Sequence, residues 1–176
     1  MTAHLTQPSP QQIGKACTNR NPVEYKIEDA TLGDLKYLAK NLREEDTAEL
    51  YAASGKDNWA ILKNSLLVSD IIKVGFADEV PFVVWGTVPA ATGASIWMVG
   101  TDGIITHRRE FLRQSKKLRD DLHKQHPLLW NYADVRNTVH HRWLRWLNFS
   151  FIRKVSYGYE QRPFYEFGRL AHVSAS

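Results

Sequence analysis

The stretch "WMVGTDGIITHRREFLRQ", Trp97 to Gln114, decides the fold. It opens on Trp97, Met98 and Val99, an apolar run of the kind a buried strand carries. Gly100 to Gly103 make a short turn. From there the apolar residues Ile104, Phe111, Leu118 and Leu122 recur at helical spacing. The pattern predicts one long helix over Gly103–Gln125, ended by His126–Pro127 because the residue before a proline avoids helical backbone. Strand, tight turn and helix together form a shape that can hold phosphate: the first N–H groups of a helix lack partners and the dipole is positive there. Either Thr101 or Asp102 is placed to cap the helix instead.

Upstream, "EYKIED" (Glu24–Asp29) alternates as a strand does. "ATLGDLKYLAKNLREED" begins a helix with Thr31 as N-cap and Asp34 at the third helical position, its apolar face being Leu32, Leu35, Leu38, Ala39 and Leu42. "DTAELYAASG" predicts a second helix stopped by Gly55. A third is capped by Asp57, with Trp59, Leu62 and Leu66 facing inward. From Ile71 the period changes: "IIKVGFADEVPFVVWGTVPA" is two strands rich in Val, Ile, Phe and Trp with a turn near Asp78–Glu79. "ASIWMVG" is the next strand.

Downstream, "LLWNYADV" reads as a strand. "TVHHRWLRWLNF" reads as a helix with Val139, Trp143, Trp146 and Leu147 on its inner side. "SFIRKVSYGY" and "RPFYEFGRL" read as a final hairpin. The order β, α, α, α, β, β, β, α, β, α, β, β predicts a mixed α/β (α+β) domain over residues 23–170, its sheet covered by helices on both faces. Residues 1–22 lack hydrophobic periodicity and are rich in Gln, Thr, Ser, Asn and Pro. They are expected to form a flexible arm that orders against a neighbour, and 171–176 a tail.

The chain has 176 residues, one cysteine (Cys17) and a net charge of +4. That length suits a single core. One cysteine excludes an internal disulfide framework and a cysteine zinc cage. No signal-peptide pattern and no apolar run of about 20 residues occurs, so no membrane partner is expected and the protein is expected to be soluble and made in a cytosol. The mild positive charge is compatible with nucleic acid, an anionic cofactor or an acidic protein.

The element order over roughly residues 24–170 resembles the Gcn5-related N-acetyltransferase (GNAT) fold, a mostly antiparallel, twisted sheet of about seven strands. In that family the fourth strand splays from the fifth and acetyl-CoA wedges between them. A second resemblance rests on "SIWMVGTDGI" and "LLWNYADVRNTVHHRWLRWLNFSF". These blocks resemble the internal virion proteins of short-tailed bacteriophages (podoviruses), in which a Trp-containing strand precedes a Thr/Ser-Asp pair. There a Leu-Trp-Asn-Tyr strand leads to Asn-Thr and a His-containing helix. Leu129, Trp130, Asn131, Tyr132, Asn137, Thr138 and His141 carry the match. The resemblance implies a GNAT-like virion protein of particle assembly, tail or portal structure or genome ejection, made in the host bacterial cytoplasm. Its partners would be portal, tail or internal core proteins in several symmetric copies.

Against the chemistry of active GNAT proteins the residues depart. Their loop is Gln/Arg-x-x-Gly-x-Gly/Ala, whose small residues let backbone N–H groups close on a pyrophosphate. Here Gly100 and Gly103 have other spacing, Ile104 and Ile105 stand where small residues are needed, and Asp102 adds negative charge. Two like charges about 4 Å apart repel by roughly 4 kcal/mol at an effective dielectric near 20. The position of the family's general-acid Tyr is Leu144, which carries no proton, and Asn148 replaces the glycine of its Gly-Phe pair. Asn137 matches a family Asn and also suits a helix N-cap. No cofactor is expected. On the alternative reading, an acetyltransferase with an atypical loop, acetyl-CoA would be held by Val99, Gly100, Gly103 and Asn137. As bases Asp102, Asp134 and His107 are available, with Asp134 and Arg136 expected to form a surface pair. His123 with His126, and His140 with His141, lack an acidic residue at useful spacing, so no metal is expected. The basic helix offers Arg108, Arg109, Arg113, Lys116 and Lys117 as a partner surface, for an acidic virion protein or, on a third reading, for packaged DNA.

Overall fold

The computed structural model describes residues 22–171. The arm expected over 1–22 and the tail over 171–176 lie, apart from Pro22 and Ala171, outside the described residues. The elements follow the sequence order. They are β1 (Tyr25–Asp29), α1 (Leu32–Asn41), α2 (Glu44–Ser54), α3 (Asn58–Val68), β2 (Ile71–Ala77), β3 (Val80–Ala90) and β4 (Gly93–Gly100). Then come α4 (Gly103–Thr106), α5 (Arg108–His123), β5 (Leu128–Asp134), α6 (Thr138–Trp146), β6 (Ser150–Tyr157) and β7 (Arg162–Leu170).

The strands form one sheet in the order β1-β2-β3-β4-β5-β7-β6. Every neighbouring pair is antiparallel except β4 and β5. Local chemistry sets the boundaries. Thr31 and Asp34 form a reciprocal capping box at the start of α1, and the Asp57 side chain accepts from the Ala60 N–H at the start of α3. Gly55 ends α2 at φ 68°, a left-handed conformation that costs glycine little. Asp78 and Glu79 both have positive φ in the β2–β3 turn, the backbone that matches strand twist in a tight hairpin.

Two layers cover the sheet. Leu35, Leu38 and Leu62 pack on Val74, Phe76, Val84 and Val99 on one face. On the other, Leu122 and Leu144 pack with Leu129, Phe149 and Phe167, and Ile104 packs with Phe82 and Trp85. Burial of such side chains is worth about 1.5–3 kcal/mol each before the entropy of ordering.

Three expectations change, the first being Leu32, which was expected on the apolar face of α1 and is exposed. The long helix is two helices, because His107 (φ −101°, ψ 27°) leaves helical geometry between α4 and α5. Its ring packs against Tyr25 and Phe82, with centroids 5.5 and 5.3 Å away. That break lets Ile104 enter the core while α5 takes its own course. The inner face of α6 is also rotated: His141, Leu144 and Leu147 are buried, whereas Val139 and Trp146 are exposed. Trp146 instead lies under Lys116, whose Nζ sits 4.4 Å from the ring centroid.

Candidate functional site at the splayed strands

β4 and β5 pair at Ala94–Leu129 and Ser95–Trp130 and then diverge. Beyond that point the edges facing each other are those of Ile96, Met98 and Gly100 on β4, and Tyr132 and Asp134 on β5. Successive residues of a strand alternate in direction, so these backbone groups have no strand neighbour and need other partners.

The chain supplies them itself. Asn131 Nδ2 donates across the gap to the Ile96 carbonyl at 2.8 Å, while Asn131 Oδ1 accepts from the Tyr132 N–H. The Gly100 N–H donates to Asp46 Oδ2 at 2.9 Å, and the Gly100 carbonyl accepts from the Arg43 N–H at 3.0 Å. On the opposite strand the Asp134 N–H donates to Glu49 Oε1 at 3.2 Å, and its carbonyl accepts from His141 Nε2 at 2.8 Å. Asn137 Nδ2 donates to Glu49 Oε2 at 2.9 Å. Helix α2 thus sends one carboxylate to each strand and ties both.

The electrostatics follow from burial. Asp46 is buried, which raises its pKa above the ordinary carboxylate value, although Arg43 opposes this through two hydrogen bonds. Burial pushes Glu49 up as well. The His140 ring beside it, with hydrogen bonds from the Asn137 side chain and the Asp134 N–H, outweighs burial and holds Glu49 below the usual value. His140 Nδ1 lies 3.7 Å from Glu49 Oε2. A cavity of about 200 Å³ remains between the strands, bordered by Asp46, Glu49, Met98, Tyr132 and His140.

The four residues read from sequence as acetyl-CoA ligands are all engaged within the chain. Val99 is in the core, and Gly100 is tied to α2. The Gly103 N–H donates to Thr101 Oγ1 at 3.0 Å, so Thr101, not Asp102, satisfies the start of α4. Both glycines serve close packing: a Cβ on Gly100 would meet the Phe82 carbonyl at 2.7 Å, and one on Gly103 would meet Phe82 Cβ at 2.6 Å. Asn137 caps α6 through the His140 N–H while holding Glu49. Leu144 is buried, and Asn148 adopts φ 62°, the conformation that favours glycine.

The three candidate bases have separate surroundings. Asp102 is exposed, and the Tyr25 hydroxyl lies 3.1 Å from His107 Nδ1. The expected pair of Asp134 with Arg136 forms, the guanidinium gripping the carboxylate at 2.5–3.0 Å, but only Arg136 is at the surface and Asp134 is buried. Arg136 and the surrounding hydrogen bonds overcome burial and keep the Asp134 carboxyl below its ordinary value. His123 Nδ1 lies 3.1 Å from the His126 carbonyl, and His126 faces Asp70. No group of three or more His, Cys, Asp or Glu able to hold a metal occurs among the described residues. None of their helices is long and apolar enough to cross a membrane. Sequence reasoning missed Asp46 and Glu49, which read as ordinary acids near a helix N-terminus.

Residues 78–155 match the family model described as Bacteriophage T7, probable scaffold protein Gp13. This stretch carries the signature of a phage protein family. It runs from the β2–β3 turn into β6 and includes both splayed strands. No curated protein matches the chain.

Solved structures resemble it over most of its length. Ard1 from Thermoplasma volcanium superposes with a TM-score of 0.69 at 10% identity, over 85% of this chain and 99% of that one. yncA from Salmonella typhimurium, solved with acetyl-CoA, gives 0.64 at 10% identity over 87% and 97%. Spermidine N-acetyltransferase from Vibrio cholerae, in complex with CoA and spermine, gives 0.62 at 9% identity over 83% and 95%. The fold is GNAT-like. At such identity the likeness concerns the fold alone, and the phage resemblance comes from the match to the Gp13 family.

Proposed function

We propose that the chain is a component of a phage particle that uses the GNAT-like fold as a scaffold for binding and transfers no acetyl group. The observation that carries this reading is the tie between α2 and the splayed strands. A ligand entering as acetyl-CoA does in the GNAT family would have to displace Asp46 from Gly100 and Glu49 from Asp134. It would also bring phosphates toward Asp102. The leucine at the general-acid position supports the same reading. The Gp13 family match supports a place in particle assembly. Portal, tail or internal core proteins are then the neighbours, in several symmetric copies, and the protein ends in the virion after synthesis in the host cytoplasm.

Titration calorimetry with acetyl-CoA is expected to give no binding. Micromolar affinity that disappears when residues 100–104 are rebuilt would establish the acetyltransferase alternative instead. Mass spectrometry of purified virions should find the chain at a fixed ratio to the portal protein. Its absence from those particles would refute a structural role in them.

A further inference from the structure

The net charge of +4 is unevenly placed. Helices α5 and α6 together carry eight Arg and Lys against three Asp and Glu, a net +5. One pair of helices therefore accounts for the whole excess. They lie side by side on one face of the sheet. Phe111 stacks on Trp143 at 5.5 Å, Trp143 Nε1 donates to Ser115 Oγ at 3.3 Å, and Lys116 sits over Trp146.

Two of the eight cations serve the fold. Arg119 is buried, pairs with Asp120 and donates to the Leu147 carbonyl at 2.9 Å. Arg113 is held by Glu110. The other six, Arg108, Arg109, Lys116, Lys117, Arg142 and Arg145, are all exposed. None of them has a carboxylate within 4.0 Å among the described residues. Arg145 stacks over the Phe151 ring at 4.8 Å, carrying the charged surface onto β6. A cation resting on an aromatic face keeps its N–H edge free to donate outward.

We propose that the α5–α6 face binds the phosphate backbone of duplex DNA. The inference rests on the reading of the chain as a phage-particle protein. The 16 residues of α5 extend about 24 Å. Duplex DNA carries a phosphate charge per about 1.7 Å of axis with both strands counted, so such a length holds on the order of 14 phosphates, and the part of them turned toward the protein suffices for several of the six cations. A protein–protein interface would instead centre on desolvated aromatic or aliphatic anchors. Here the large exposed apolar groups of α6 are Val139 and Trp146, and the Trp146 ring lies beneath Lys116. The binding is of backbone charge and carries no base sequence preference.

The test is retention of a 30-base-pair duplex by the full chain over a series of salt concentrations. Binding should fall linearly on logarithmic axes with a slope of about −3 to −5, as expected for contact with three to six phosphates. A variant with all six cations changed to Gln (R108Q, R109Q, K116Q, K117Q, R142Q and R145Q) should lose at least about tenfold in affinity at low salt and most of the slope. A control variant, Lys36→Gln with Lys40→Gln and Lys63→Gln on the opposite face, should bind as the parent does. Thermal melts of both variants confirm that each is folded. The proposal is overturned if the parent does not bind at low salt, if the six-site variant binds unchanged, or if the control loses as much. Capture of an acidic virion protein by the same face, with no DNA retained, overturns it equally. None of these results bears on acetyl-CoA binding or on presence in the virion.

Discussion

Asp46 does three things at once: it accepts from the Gly100 N–H, pairs with Arg43 and is itself buried. Asp46→Ala would leave a guanidinium and a backbone N–H without their partner. Losing one member of a buried pair costs about 3–5 kcal/mol, so the urea midpoint should fall sharply. Asp46→Asn keeps an acceptor for Gly100 and should lose less. Protonation gives a second residue-level expectation. Burial lowers the pKa of His123 and of His141 below 6.5, so folding favours the neutral form of each ring. Their contribution is complete above 6.5 and is lost as pH falls through the window between 6.5 and their lower folded values. Glu49, held low, adds a contribution present above its unfolded value and lost as pH drops through its folded one. Asp46, held high, acts in the opposite sense, because its protonation favours the fold. Urea melts should therefore weaken from pH 7.5 to 5.5, and His141→Gln should flatten that dependence.

At the scale of elements, capping and hairpin chemistry were legible because they are local. Thr31 with Asp34, Asp57, Gly55 and Asp78–Glu79 act within a few residues of themselves. The break at His107 was not legible. No proline or glycine stands there, and the cause is packing against Tyr25 and Phe82 from distant strands. The buried side of α6 is not legible from side-chain size alone, because Trp146 lies exposed under a lysine while the smaller His141 is buried. The turn before α4 depends on the absence of a side chain at Gly103. Gly103→Ala would press a methyl against Phe82. Overpacking of this kind costs about 1–3 kcal/mol. At about 2–4 °C per kcal/mol for a chain of this size, the melting temperature should drop by several degrees.

At the scale of the whole molecule, the element order made the sheet legible, the splay was only what the GNAT resemblance implied, and the departures at Ile104, Ile105 and Leu144 marked the site as unusual. What bridges the splay was hidden, because Asp46 lies 54 residues from Gly100 and Glu49 lies 85 from Asp134. No local pattern reports contacts of that reach. The Gp13 match has the same blind side: it spans β4 and β5 and stops short of α2. The linear strand order has a mechanical consequence. β1 to β4 form one block and β5 to β7 another, and the backbone joint between them is the two residue pairs of β4 and β5. Any load carried through the sheet from β1 to β7 crosses that seam. The carboxylates of α2 therefore act as rivets, and a molecule pulled from both ends would part first along this line, each half keeping its own antiparallel hairpins.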